Sequence, residues 1–103
     1  MQYRLSRSTR SNKKYMVKTP DGKTVHFGGV RDSGVPYDDY TVHKDPERKS
    51  RYVARHKTNE NWRKSGTGTA GFWSRWLLWN KPTLSESVSD TERRFGLDIV
   101  RSR

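Results

Sequence analysis

The sequence predicts an α+β fold: an N-terminal β-hairpin followed by about three short helices, with a tryptophan-rich helix as the core. Three observations carry this. A Pro20-Asp21-Gly22 turn separates two short β-prone runs, Lys14–Thr19 and Lys23–Phe27. Asp45-Pro46-Glu47 and Thr83 with Glu86 read as two helix starts. Trp73, Trp76 and Trp79 fall within seven residues of a chain that is otherwise 29% apolar and 32% charged. With 103 residues there is room for one domain and one modest core.

The elements follow in order. Residues 1–13 lack a regular period, are rich in Ser and Arg, and are expected to form a flexible basic arm. The domain proper is expected over 14–96. In the hairpin, proline sets φ and glycine supplies a positive φ for the turn. Alternation puts Tyr15 and Val17 on one face, with Val25 and Phe27 on one face of the partner strand. Residues 28–43 read as a loop carrying an acidic patch of Asp32, Asp38 and Asp39 beside Tyr37 and Tyr40.

Asp45 as N-cap, Pro46 at the first helical position and Glu47 in the first turn start a helix expected to run to about Lys57. Arg48, Tyr52 and Arg55 share one of its faces with Arg51 beside them, while Lys49, Val53 and Lys57 share another. A Ser/Gly/Thr linker over 65–69 leads to Thr69, the expected N-cap of the tryptophan helix, which Asn80-Lys81-Pro82 stops. Thr83 and Glu86 form a capping box for a last helix, on which Leu84, Val88, Thr91 and Phe95 recur at helical spacing before Gly96. Residues 97–103 read as a tail, in which Leu97, Ile99 and Val100 offer a short strand.

The charge points to a partner class. The chain has 22 basic and 11 acidic residues, a net charge of +11. Five basic and no acidic residues occupy 1–14, and residues 44–64 carry a net +5. Clustered Lys and Arg on this scale are the footprint of a polyanion: nucleic acid, an anionic membrane or an acidic protein surface. The expected contacts are Arg4, Arg7, Arg10, Lys13 and Lys14 in the arm, with Arg48, Lys49, Arg51 and Arg55 on the basic helix. No zinc-finger spacing, RNP sequence or basic-zipper heptad marks a base-reading module.

Trp62, Phe72, Trp73, Trp76 and Trp79 are the core or a docking surface. Apolar residues cover most of the tryptophan helix, which must then be covered on all sides. The rest of the chain offers little material for this, so an uncovered edge is expected to meet a partner protein. Catalysis is not expected. His43, His56 and Glu60 sketch a metal-dependent nuclease, but no HExxH, catalytic carboxylate pair or phosphate-cradling glycine loop is present. No cofactor, metal or small-molecule substrate is implied. With no cysteine there is no disulfide framework, no apolar run reaches the ~20 residues of a membrane span, and no signal peptide is evident.

The string Asp39-Tyr40-Thr41-Val42-His43-Lys44-Asp45-Pro46-Glu47-Arg48-Lys49, with Arg51–His56, Glu60 and Trp62, resembles a family of small uncharacterised proteins common in large nucleocytoplasmic DNA viruses. So does Thr69-Ala-Gly-Phe-Trp-Ser-Arg-Trp-Leu-Leu-Trp-Asn-Lys-Pro-Thr-Leu84. The resemblance spans about residues 14–85, leaving out the first thirteen and the tail. It implies a context and no catalytic residues: a minor component of a virus particle, associated with capsid or genome and with other virion proteins, in the virion or the host cytoplasm or nucleus. The alternative is a sequence-nonspecific DNA-binding protein that compacts a genome.

Overall fold

The computed structural model describes residues 1–102. Four strands form one sheet in the order β3-β2-β1-β4. They are β1 (Gln2–Arg7), β2 (Lys13–Lys18), β3 (Thr24–Gly29) and β4 (Asp98–Arg101). The hairpin forms as expected, with Val17 opposite Val25 and Tyr15 opposite Phe27. Its turn is closed by the Thr19 N–H on the Lys23 carbonyl at 2.8 Å, and Gly22 takes φ +87°. At the far end Gly28, at φ +81°, brings the backbone so close to Lys14 and Leu78 that a side chain there would press on both.

Both chain ends join the sheet, the first against expectation. The stretch read as a flexible arm contains β1, which lies between β2 and β4. It pairs antiparallel with β2 (Leu5 opposite Val17) and parallel with β4 (Tyr3 opposite Ile99). The physical reason is a two-residue alternation: Tyr3 and Leu5 point inward, while Arg4 and Ser6 point out. Serines and arginines on the outer face hide this pattern. The tail supplies β4, the strand that Leu97, Ile99 and Val100 offered, and the Ile99 N–H is held by the Glu92 carboxylate at 3.0 Å.

The helices cover the inner face of the sheet. α1 (Tyr40–His43) is a single turn inside the stretch read as loop, capped by the Asp39 carboxylate on the Thr41 N–H. α2 (Pro46–His56) starts at Asp45 as expected. A 3₁₀ turn at Lys64–Gly66 sits at the linker. The tryptophan segment begins as α3 (Ala70–Trp73) under its Thr69 cap. It widens into a π-helical turn, Ser74–Leu78, closed by the Trp79 N–H on the Ser74 carbonyl at 3.1 Å. α4 (Leu84–Phe95) has the expected Thr83 cap and a left-handed Gly96 at its end.

Phe72, Trp73 and Leu77 are fully buried and Trp76 nearly so, within a core that includes Leu5, Val17, Val25, Phe27, Val88 and Ile99. At ~150–250 Å² per aromatic ring and ~25 cal/mol per Å², each buried Phe or Trp contributes roughly 4–6 kcal/mol of transfer free energy. The indole N–H groups of Trp73 and Trp76 donate to the Thr67 and Trp62 carbonyls at 2.8 and 2.9 Å.

Most of the edge expected to be uncovered on this segment is covered, and of its three tryptophans Trp79 alone stays partly exposed. The large exposed apolar residues are Met1, Val35, Tyr37 and Val42, none of which belongs to it. Two sources supply the missing cover. β1 and β4 bring Tyr3, Leu5 and Ile99 to the sheet, with the Tyr3 ring centroid 5.6 Å from that of Trp73. The Arg75 and Arg94 guanidinium groups lie 4.4 and 4.6 Å from the Trp76 ring, and Arg75 also flanks Trp62 at 5.4 Å. Planar, weakly hydrated guanidinium groups are suited to this stacking.

Candidate nucleic-acid interface

α2 sorts its basic residues by face. Arg48, Arg51 and Arg55 are exposed along one side. Their spacing of three and four residues places them ~5 Å apart along the axis. Tyr52, expected on the face of the arginines, turns into the protein instead. It is 8% exposed, lies flat on Trp79 (centroids 4.4 Å, planes 2° apart), and has the His56 ring 4.4 Å away. Burial, reinforced by Glu60, pushes its phenol up to about 12. A tyrosine so placed cannot stack on a base.

Lys49 also belongs to the inner side. Its ammonium donates to the Asn80 carbonyl at 2.7 Å and lies 5.1 Å from the Tyr40 ring centroid. Burial holds its pKa below the ordinary lysine value, and Arg75 and Lys81 push in the same direction. Its neighbours act alike: Arg75 donates to the Trp79 carbonyl at 2.7 Å and Lys44 to the Pro82 carbonyl at 3.0 Å. Three cations thus hold the carbonyls where the tryptophan segment ends, the favourable place for positive charge. These side chains are engaged in the fold.

The residues expected in the arm separate. Arg4 lies on the outer face of the sheet opposite Lys18. Arg10 and Lys13, at the β1–β2 connection, stand near His26. Burial first, then those two charges, hold the His26 imidazole below its ordinary value. Arg7 points to the inner face at the end of β1. Lys14 is removed from any contact set: its ammonium pairs with the buried Asp39 carboxylate at 2.7 Å. The expected contacts therefore form no single patch. Arg48, Arg51 and Arg55 stand on the helical side, whereas Arg4 faces out from the opposite side of the sheet.

The acidic residues leave most cations alone. Among the described residues the ion pairs are Lys14–Asp39, Arg93–Asp90 and Arg94–Asp90. The Asp90 carboxyl also accepts the Asn80 amide at 2.7 Å, and that bond, then Arg94, holds it below the usual carboxylate range. Lys18 and Arg94 escaped the sequence reading. The Tyr3/Leu5 alternation was the signal that would have placed Arg4 beside Lys18.

The residues of the nuclease sketch are dispersed. His43 accepts the Asp45 N–H on Nδ1 at 2.9 Å, and its ring lies 5.3 Å from that of Trp79. His56 stacks on Tyr52. The Glu60 carboxylate packs against Gly71, where any side chain would collide with it. Among the described residues no group of three His, Cys, Asp or Glu is placed to hold a metal ion. No described helix is long and apolar enough to cross a membrane.

Fold and surface together define a small α+β protein whose sheet is covered on one face and whose exterior is rich in unpaired cations. The chain belongs to a family of unknown function, DUF5754, whose model matches residues 3–56. The match begins in β1, not at residue 14, and ends with the last residue of α2. The Thr69–Leu84 string therefore lies outside it, and the strand taken for an arm lies within it. Neither the curated proteins nor the solved structures give a match to this chain.

Proposed function

We propose that this protein is a non-enzymatic, small basic structural protein that docks on nucleic acid, as a minor component of a nucleic-acid-bearing assembly such as a virus particle. The observation that supports this most directly is the exposed row of Arg48, Arg51 and Arg55 on α2, none of which pairs with a carboxylate among the described residues. Such contacts neutralise phosphates and do not read sequence. The absence of an exposed aromatic on this row fits backbone contact without base stacking.

The test is fluorescence anisotropy of a labelled duplex as a function of NaCl. Each phosphate contact adds about 0.9 to the log–log salt slope. The Arg48→Ala/Arg51→Ala/Arg55→Ala variant is expected to lower the slope by about 2.7 and to bind up to ~500-fold more weakly at ~0.1 M salt. No duplex binding at ~50 mM salt, or an unchanged slope in the variant, refutes the reading. Binding to acidic polypeptide in place of duplex assigns the row to a protein face.

The placement of Arg4 and Lys18 favours a second reading, genome compaction. Cations on both sides of the sheet suit one molecule to bridging two duplexes, which sedimentation of long DNA at substoichiometric protein would reveal.

A further inference from the structure

The inner face of the sheet is left uncovered at one end. There a groove of about 800 Å³ opens between the ends of β1, β2 and β4 and the first turn of α4. The size lies within the ~300–1,000 Å³ of small-ligand sites. Its floor is Leu5, 2% exposed, and its walls include Leu84 and the half-buried Tyr15 ring. Arg7 and Arg101 line it as well, and no aspartate or glutamate does.

The pairing register explains this composition. Leu5 stands opposite Arg101, and Arg7 stands opposite Tyr15. Arg7 and Arg101 are therefore diagonal neighbours on one face, within reach of a shared group. Arg101 is fixed in place by donating to Ser85 Oγ at 2.8 Å in the first turn of α4. The Arg7 guanidinium has no hydrogen bond or ion pair among the described residues. Two guanidinium forks beside an aromatic ring and an apolar floor suit a phosphate attached to a planar base.

We infer that this groove binds a nucleoside monophosphate unit, its phosphate held by Arg7 and Arg101 and its base laid against Tyr15 and Leu84. The unit is supplied either as a free nucleotide or as one residue of a single strand. The inference deepens the nucleic-acid reading but does not share its residues, since α2 takes no part in the groove.

The experiment follows amide chemical shifts of the full chain under titration with dTMP, thymidine, inorganic phosphate and an eight-residue oligothymidylate. dTMP is expected to shift Leu5, Arg7, Tyr15, Leu84 and Arg101, and to bind at least about tenfold tighter than thymidine or phosphate alone. Arg7→Gln and Arg101→Gln are each expected to weaken dTMP about tenfold, the loss of one charge-assisted contact. Tyr15→Leu is expected to raise the dTMP dissociation constant about tenfold while leaving phosphate unchanged.

A tighter oligonucleotide assigns a strand as the source, and tighter dTMP a free nucleotide. The Arg48→Ala/Arg51→Ala/Arg55→Ala variant is expected to keep dTMP binding whatever becomes of its duplex affinity. Shifts confined to α2, or dTMP binding that both glutamine variants leave unchanged, would overturn the groove while the docking function stood.

Discussion

Leu5→Ala separates a strand from an arm. If residues 1–13 were a mobile arm, truncating a side chain there would be neutral. In the structure Leu5 is 2% exposed on a strand paired on both sides, opposite Val17 and Arg101. Loss of its three carbons removes ~2–2.5 kcal/mol of transfer free energy, and the cavity brings the cost to roughly 3 kcal/mol. The total stability of a domain this size is ~5–15 kcal/mol, so a large share is lost. At ~4–8 °C per kcal/mol the melting temperature falls by roughly 12–24 °C. Arg4→Ala, exposed on the same strand, stays within about 0.5 kcal/mol. Urea denaturation followed by far-ultraviolet circular dichroism and by tryptophan fluorescence measures both. Removing residues 1–8 should abolish the cooperative transition, because β4 loses its sole partner strand. Leu5→Ala within about 0.5 kcal/mol of the parent would refute a structural β1.

Two further outcomes follow from the core and its histidines. Arg75→Ala uncovers Trp62 and Trp76 and frees the Trp79 carbonyl; acrylamide quenching of tryptophan should rise and stability fall by about 1–2 kcal/mol. Stability should also decline on acidification through about pH 6.5, the ordinary histidine value. Burial, aided by Arg48 against Asp45, Asp39 and Asp38, holds His43 below that value. The unfolded chain then takes up protons that the folded protein refuses, and stability rises with pH across this window. His43→Phe should flatten a thermal-melting profile between about pH 5 and 7, and a slope unchanged by that variant would show that His43 does not contribute.

Local rules made much of the fold legible. Asp45-Pro46-Glu47, Thr69, and Thr83 with Glu86 mark helix starts because a cap acts on amides two or three residues away. The Pro-Asp-Gly turn did the same for the hairpin. What escaped depends on distant partners. Gln2–Arg7 is a strand because β2 and β4 lie on either side of it, and β4 is supplied from the other end of the chain. A parallel pair closed over so many residues leaves no local trace beyond the short alternation of Tyr3 and Leu5. The single turn of α1 was hidden in the same way, since Asp39 caps it while also receiving Lys14 from β2. The candidate contacts divided for a related reason: formal charge identifies cations but not which of them the fold consumes. Lys14 and Lys49 are spent on Asp39 and on the Asn80 carbonyl, whereas Arg48, Arg51 and Arg55 are not.

The tryptophan segment joins these two halves. A chain with 29% apolar residues cannot surround such a segment with aliphatic side chains alone. It closes the last sides with the faces of arginine, Arg75 and Arg94 over Trp76. Burial and the charge of Arg94 both press against the Arg75 cation, and Asp90 offsets part of this. With Trp73 and Trp76 buried and Trp79 partly exposed, this segment leaves little apolar surface, and in the proposed function the surface that meets nucleic acid is chiefly charge. An interface built that way gains its free energy from displaced counterions and gives it back to added salt. Association that persisted unchanged at ~1 M salt would require an apolar contact, and the exposed Val35, Tyr37 and Val42 would then be the place to seek it.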